Sequence, residues 1–355
     1  VTITNDRFLQ ACRRQPVDRT PVWLMRQAGR SLPEYRAIKQ HYSLFDITHQ
    51  PELCAEVTLQ PVKRLGVDAA ILYADIMSPL VAIGVELELV EGVGPVVAQP
   101  IRSAADLAAL RPLDPQADMP YVLETVRLLR AELAASGTPL IGFAGAPFTL
   151  AGYLIEGKPS RDFVRTKQLM YTEPELWHAL MERLSTIVIG YAAGQIRAGA
   201  QAFQLFDSWI GCLSVLDYTR FVQPHVRRIF QEIGAMAEAR DVPLIHFGTG
   251  TPHLLEAMAT AGGDVLGLDW RVPLDAGWER VGGPERIAIQ GNLDPAILLA
   301  PWEVVRREAE DVLRRAGGRT GHIFNLGHGV LPQTPVETIE RLIAFVHDFR
   351  VEKYP

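Results

Sequence analysis

Short apolar runs alternate along this chain with longer stretches in which apolar residues return every three or four positions. Eight runs stand out, at residues 22–25, 69–73, 140–143, 202–206, 244–247, 265–268, 287–290 and 322–325. They are nearly continuous rather than alternating, which suits strands buried on both faces of a parallel sheet. The stretches between them read as helices. Residues 51–65 open on Pro-Glu and stop at Gly66, the expected asymmetry of proline at the start and glycine past the end. Further helical patterns cover 119–135, 173–198, 218–240, 301–316 and 335–349. Eight strand–helix alternations without a linker predict a single (β/α)8 TIM-type barrel over residues 1–355, in preference to an open doubly wound sheet. Residues 85–97, with Glu-Gly-Val-Gly inside, predict a hairpin inserted after the second strand.

Composition narrows the function. At 48% hydrophobic and 21% charged, the 355 residues can form a sizeable core, which excludes disorder as the main state. A net charge of −6 argues against a nucleic-acid partner or an anionic-membrane surface. Any anionic ligand must then be met by local positive charge. Cys12, Cys54 and Cys212 are too few and too scattered for a disulfide framework, and a reducing cytoplasmic setting is the simplest reading. Residues 1–19 show no signal-peptide core, and no uncharged apolar run reaches the ~18 residues of a membrane span.

In a barrel, chemistry gathers where strands end. Past the eight runs stand Arg26 to Arg30, Asp75, Ala144 to Pro147, Asp207-Ser208, Gly248 to Gly250, Asp269-Trp270, Gly291-Asn292 and Gly327-His328-Gly329. Arg26 and Arg30 could together fork carboxylate or phosphate groups, or be two solvated surface arginines. Asp75 fits a helix cap as well as an ionised carboxylate in an apolar cavity, where it would need N–H donors to stay charged. Tyr153 reads equally as a packing aromatic, Ser208 as a cap and His328 as a hydrogen-bonding loop residue. Residues 152–159 approach a P-loop pattern, but Pro159 replaces the hydroxyl that would hold magnesium. No zinc-ligand spacing occurs.

Five segments go further. Met25-Arg26-Gln27-Ala28-Gly29-Arg30-Ser31-Leu32-Pro33-Glu34-Tyr35 and Gly142-Phe143-Ala144-Gly145-Ala146-Pro147-Phe148-Thr149-Leu150 closely resemble the signatures of the uroporphyrinogen decarboxylase family. Tyr73-Ala74-Asp75-Ile76, Phe206-Asp207-Ser208-Trp209 and Asn325-Leu326-Gly327-His328-Gly329-Val330 are similar to it in matching order. The resemblance implies a (β/α)8 barrel, usually homodimeric, that needs neither metal nor organic cofactor. It implies decarboxylation of the four acetates of uroporphyrinogen III, giving coproporphyrinogen III and carbon dioxide. By the same resemblance, Arg26 and Arg30 bind peripheral carboxylates, and the Gln27, Ala28 and Gly29 backbone adds N–H donors. Asp75 then accepts the converging pyrrole N–H groups and stabilises the cation formed when a ring carbon is protonated. Tyr153, Ser208 and His328 match substrate-contacting positions. Two alternatives stay open. One is a zinc-dependent, corrinoid-linked methyltransferase, although Cys212 is the last cysteine; the other is a tetrapyrrole carrier without turnover.

Overall fold

The computed structural model describes residues 6–90 and 94–350. Its strands, in chain order, are β1 (Ala70–Ile71), β2 (Leu87–Val90), β3 (Gly94–Val97), β4 (Leu140–Gly145), β5 (Ala202–Asp207), β6 (Leu244–Gly248), β7 (Val265–Gly267), β8 (Ala288–Leu293) and β9 (His322–Leu326). Seven of them form one parallel sheet in the order β1-β4-β5-β6-β7-β8-β9. Every residue of β4 and of β6 to β9 is buried, as continuous apolar runs require when helices cover a parallel sheet. β2 and β3 pair antiparallel, Leu87 opposite Val97. The turn expected between them, residues 91–93, lies outside the described residues.

The sheet is curled. Gln290 on β8 donates through Nε2 to Gln204 Oε1 on β5 at 3.0 Å, although the two strands stand three places apart. In a flat sheet that separation is roughly 14 Å. Trp23 Nε1 donates to Gln290 Oε1 at 2.9 Å and extends this buried polar chain.

The first expected strand, 22–25, is corrected to a single bridge, Val22 with Phe324 on β9. Side chains take the N–H groups that a ladder would use: Leu24 N donates to Gln27 Oε1 and Met25 N to Asn325 Oδ1. The segment still touches both sheet edges, since Phe324 N donates to Pro21 O and Asp68 N to Val22 O.

Helix Pro51–Leu65 forms as expected, with Gly66 left-handed at φ 68°. The single helix expected over 218–240 is broken into a wide turn at Tyr218–Val222, a helix at Gln223–Gly234 and a 3₁₀ turn at Ala237–Ala239. Pro224 explains the first break, because it has no N–H to give to a preceding turn. The near P-loop segment is mostly helix, Pro147–Glu156, closed by left-handed Gly157.

Candidate active site

The strand ends open into a cleft of about 1000 Å³ counted out to its mouth. Its floor is aromatic. Phe143, Phe206 and Phe247, from β4, β5 and β6, meet edge to face with centroids 5.4 and 5.9 Å apart.

Five residues of backbone build one wall. Arg26 and Arg30 both adopt positive φ, 61° and 39°, with Gly29 at 108° between them. Left-handed backbone costs an L-residue roughly 1–2 kcal/mol, so the surroundings must hold it in place. Gln27 does this. Its Oε1 accepts from Leu24 N, its Nε2 donates to Ala69 O, and its own N–H is given to Leu24 O. Gln27 is therefore buried beneath the loop, and the expected Gln27 backbone donation to a ligand is not open, because that N–H is already used. Ala28 and Gly29 do line the cleft.

Arg26 lies in the cleft with its stem against Gly329; among the described residues its guanidinium has no hydrogen-bond or ion-pair partner. Arg30 Nη1 makes a long contact, 3.4 Å, with Val330 O. Both guanidiniums therefore stand beside the turn that carries His328.

Asp75 follows β1 and is the one carboxylate among the described lining residues. Its Oδ1 accepts from Met77 N at 2.8 Å. Burial raises its pKa, with the Met77 bond and the charge of Arg26 pulling the other way. The other strand-end acids are used elsewhere. Asp207 is wholly buried and accepts from Thr149 Oγ1 at 3.2 Å, with His246 Nε2 3.9 Å away. Asp269 accepts from the Arg271 backbone and guanidinium and from Gly250 N.

His328 Nδ1 accepts from Gly329 N at 2.6 Å. Burial first, then the charges of Arg26 and Arg271, bring its pKa down to about 4. At neutral pH the ring is uncharged, and its proton sits on Nε2. Ser208 lines the cleft, with its carbonyl held by Thr249 Oγ1 at 2.9 Å. Tyr153 is not among the residues that line the cleft; it is half-buried and edge-on to Trp209 at 6.2 Å. Burial raises its pKa, and the charges of Asp75 and Arg26 both reach it.

Two arginines, one aspartate and a neutral histidine thus give a positive wall above an apolar floor, in a chain of net charge −6. The model of the family described as uroporphyrinogen decarboxylase (URO-D) matches residues 3–349. The chain belongs to the uroporphyrinogen decarboxylase family. A uroporphyrinogen decarboxylase of Sorangium cellulosum is 55% identical, over 97% of this chain and 96% of its own. Those of a Geobacillus species and of Thermus thermophilus are 54% and 53% identical, each over 98% of this chain and 99% and 98% of their own. As a uroporphyrinogen decarboxylase family member it is a carboxy-lyase. A methyltransferase from Methanosarcina mazei superposes with a TM-score of 0.80, over 96% of this chain and 97% of that one, at 21% identity. That likeness is one of fold. Among the described residues no group of three or more His, Cys, Asp or Glu is placed to hold a metal ion.

Sequence reasoning missed Tyr35, Tyr73 and the phenylalanine floor as cleft residues. A signal was present: three apolar runs end on Phe143, Phe206 and Phe247, of which Phe206 and Phe247 are register partners and Phe143 stands two residues before Gly145, the partner of Phe206.

Proposed function

We propose that this chain removes the carboxyl groups of the four acetate side chains of uroporphyrinogen III, releasing carbon dioxide and leaving coproporphyrinogen III. The observation that carries the reading is Asp75, a single carboxylate on an apolar floor facing an arginine-bearing wall. A tetrapyrrole fits that polarity, with carboxylates on its rim and N–H groups at its centre.

Arg26 and Arg30 bind rim carboxylates, helped by Ser208 Oγ and the Nε2–H of His328. The pyrrole N–H groups give Asp75 the donors that burial denies it, and so favour its anion. A proton added to a ring carbon makes a cation conjugated to the ring nitrogen, and Asp75 stabilises that charge where water is scarce. The electrons of the bond to the carboxylate then return to the ring as carbon dioxide leaves. A second proton on the exocyclic carbon completes the methyl group, and loss of the first proton from the ring carbon restores the neutral pyrrole. Tyr153, a neutral phenol, orients the substrate beside Trp209.

The same reading includes a closed (β/α)8 barrel over residues 1–355, with 22–25 as its eighth position and 85–97 as its inserted hairpin. The hydrogen bonds from the first segment to both sheet edges support closure. The homodimer and independence of added cofactors rest on the family resemblance, and the cytoplasmic setting on the few, scattered cysteines. No described helix is long and apolar enough to cross a membrane.

Anaerobic incubation with uroporphyrinogen III tests the activity. Carbon dioxide and coproporphyrinogen should appear in a ratio of four to one. Binding without product would establish the carrier alternative instead.

A further inference from the structure

Two phenols at the edge of the cleft have no part in the chemistry above. The hydroxyl oxygens of Tyr35 and Tyr73 are 2.8 Å apart, and both side chains line the cleft that holds Asp75. Tyr73 stands two residues before Asp75 and is fixed at both ends of its peptide unit. Its N–H donates to Thr58 Oγ1, and its carbonyl accepts from the Cys54 thiol, each at 3.0 Å. Tyr35 comes from the helix Pro33–Lys39, with its ring tip against Gly29: a Cβ there would lie 3.5 Å from Tyr35 Cζ. The pair therefore reaches from the Asp75 side of the cleft to the arginine loop.

Counting protons shows what is left over. Burial raises the pKa of both phenols, and for Tyr73 the nearby charge of Asp75 adds to this, so both are neutral. Two neutral phenols carry two protons, and the bond between them uses one. Among the described residues neither hydroxyl has another protein partner. One O–H is free beside the cleft, polarised by the bond its oxygen accepts.

We propose that the Tyr35–Tyr73 pair is an additional binding element that donates its spare O–H to a rim carboxylate of the tetrapyrrole. The proposal rests on the reading of this cleft as a porphyrinogen site. A pyrrole N–H is itself a donor, so the carboxylate is the substrate group able to accept.

Three variants test it: Tyr35→Phe, Tyr73→Phe and the double variant. Each single variant removes the Tyr–Tyr bond but leaves one phenol whose proton is free for the ligand. The KM for uroporphyrinogen should then rise at most about threefold in either single variant, and about tenfold or more in the double. The kcat should stay within about threefold throughout. A purely structural bond is lost equally in all three, so a double variant no worse in KM than the worse single overturns the proposal. A second measurement does not depend on the double variant folding. A fluorinated tyrosine at position 35 has a lowered phenol pKa. Once it ionises, the pair keeps one proton, held between its two oxygens, and none is free. The KM should then climb with pH while that of the unmodified enzyme does not, and parallel profiles overturn the proposal. Unmodified enzyme assayed alongside separates the two ideas. Its failure to turn over uroporphyrinogen overturns the function and the pair together; turnover without the double-variant effect overturns the pair alone.

Discussion

Gly329 packs directly on the stem of Arg26: a Cβ at position 329 would stand 2.5 Å from Arg26 Cδ and 3.2 Å from Arg26 Cβ. Because the arginine's backbone is held left-handed, at φ 61°, its stem cannot retreat by a small backbone adjustment. Glycine after His328 thus sets the direction in which Arg26 enters the cleft. Gly329→Ala should therefore swing the guanidinium aside and lower kcat/KM about tenfold or more, since small misplacements at a reacting site are costly. Thermal stability should change little, because the side chain that must move lies in an open cleft. Wild-type kinetics in a folded Gly329→Ala protein would show that Arg26 needs no such guidance.

Asp75 links activity and stability with opposite signs. Its pKa is raised in the folded, ligand-free protein, so the folded state holds that proton more tightly than the unfolded state. Stability from this group is present at low pH and is lost as pH rises from the ordinary carboxylate value through the raised one. Above the raised value the ionised carboxylate is a net cost. Asp75→Asn should therefore raise the melting temperature by about 1–3 °C at pH 7. It should also lower turnover by about 10²–10³, by removing the charge that faces the cationic intermediate. Calorimetry paired with single-turnover assays measures both; a variant that loses stability, or keeps its rate, contradicts the assignment.

For His328 the sign is reversed. Its folded pKa, about 4, lies below the ordinary histidine value near 6.5. Stability from this group is complete above that ordinary value and falls as pH drops from there to about 4. Replacing it with Gln should flatten the dependence of melting temperature on pH across that window. In the unmodified protein, 15N NMR of the ring should find the proton on Nε2 at pH 7 and no titration until well below pH 6. A ring that titrates near pH 6.5 would place a cationic histidine in the cleft and remove this argument.

Much of this was legible in the chain. Seven of the eight apolar runs are strands because burial on both faces leaves an unmistakable apolar trace. The run at 22–25 has the same trace, but Gln27 and Asn325 intercept its N–H groups, and side-chain capture of backbone has no periodicity to read. The same limit hid the role of Gln27. A glutamine between two candidate binding residues reads as a third; only the fold shows that it clamps Leu24 to Ala69 from below. Asp75, Asp207 and Asp269 look alike as strand-end acids. Their partners separate them, since Thr149 and His246 surround one, the neighbouring Arg271 and the distant Gly250 another, and the third is left facing the cleft.

The arginine pair offers the sharpest test of the wall as a carboxylate site. Arg26 has no hydrogen-bond or ion-pair partner among the described residues, and Arg30 only a long contact to a carbonyl, so neither is held as a surface ion pair. A polyanion approaching a protein of net charge −6 must be drawn by such local positive charge. Lysine keeps the charge but lacks the two-pronged geometry, and it would have to adopt the same left-handed backbone. Arg26→Lys and Arg30→Lys should each raise KM or lower kcat about tenfold, with partly decarboxylated intermediates released early because the ring is held less firmly between rounds. Substitution at a solvated surface site would instead stay within about 0.5 kcal/mol of neutral. Kinetics of both variants, with products sorted by the number of carboxylates they retain, distinguish the two. Unchanged rates and an unchanged product distribution in both would mean that the substrate's carboxylates are bound elsewhere.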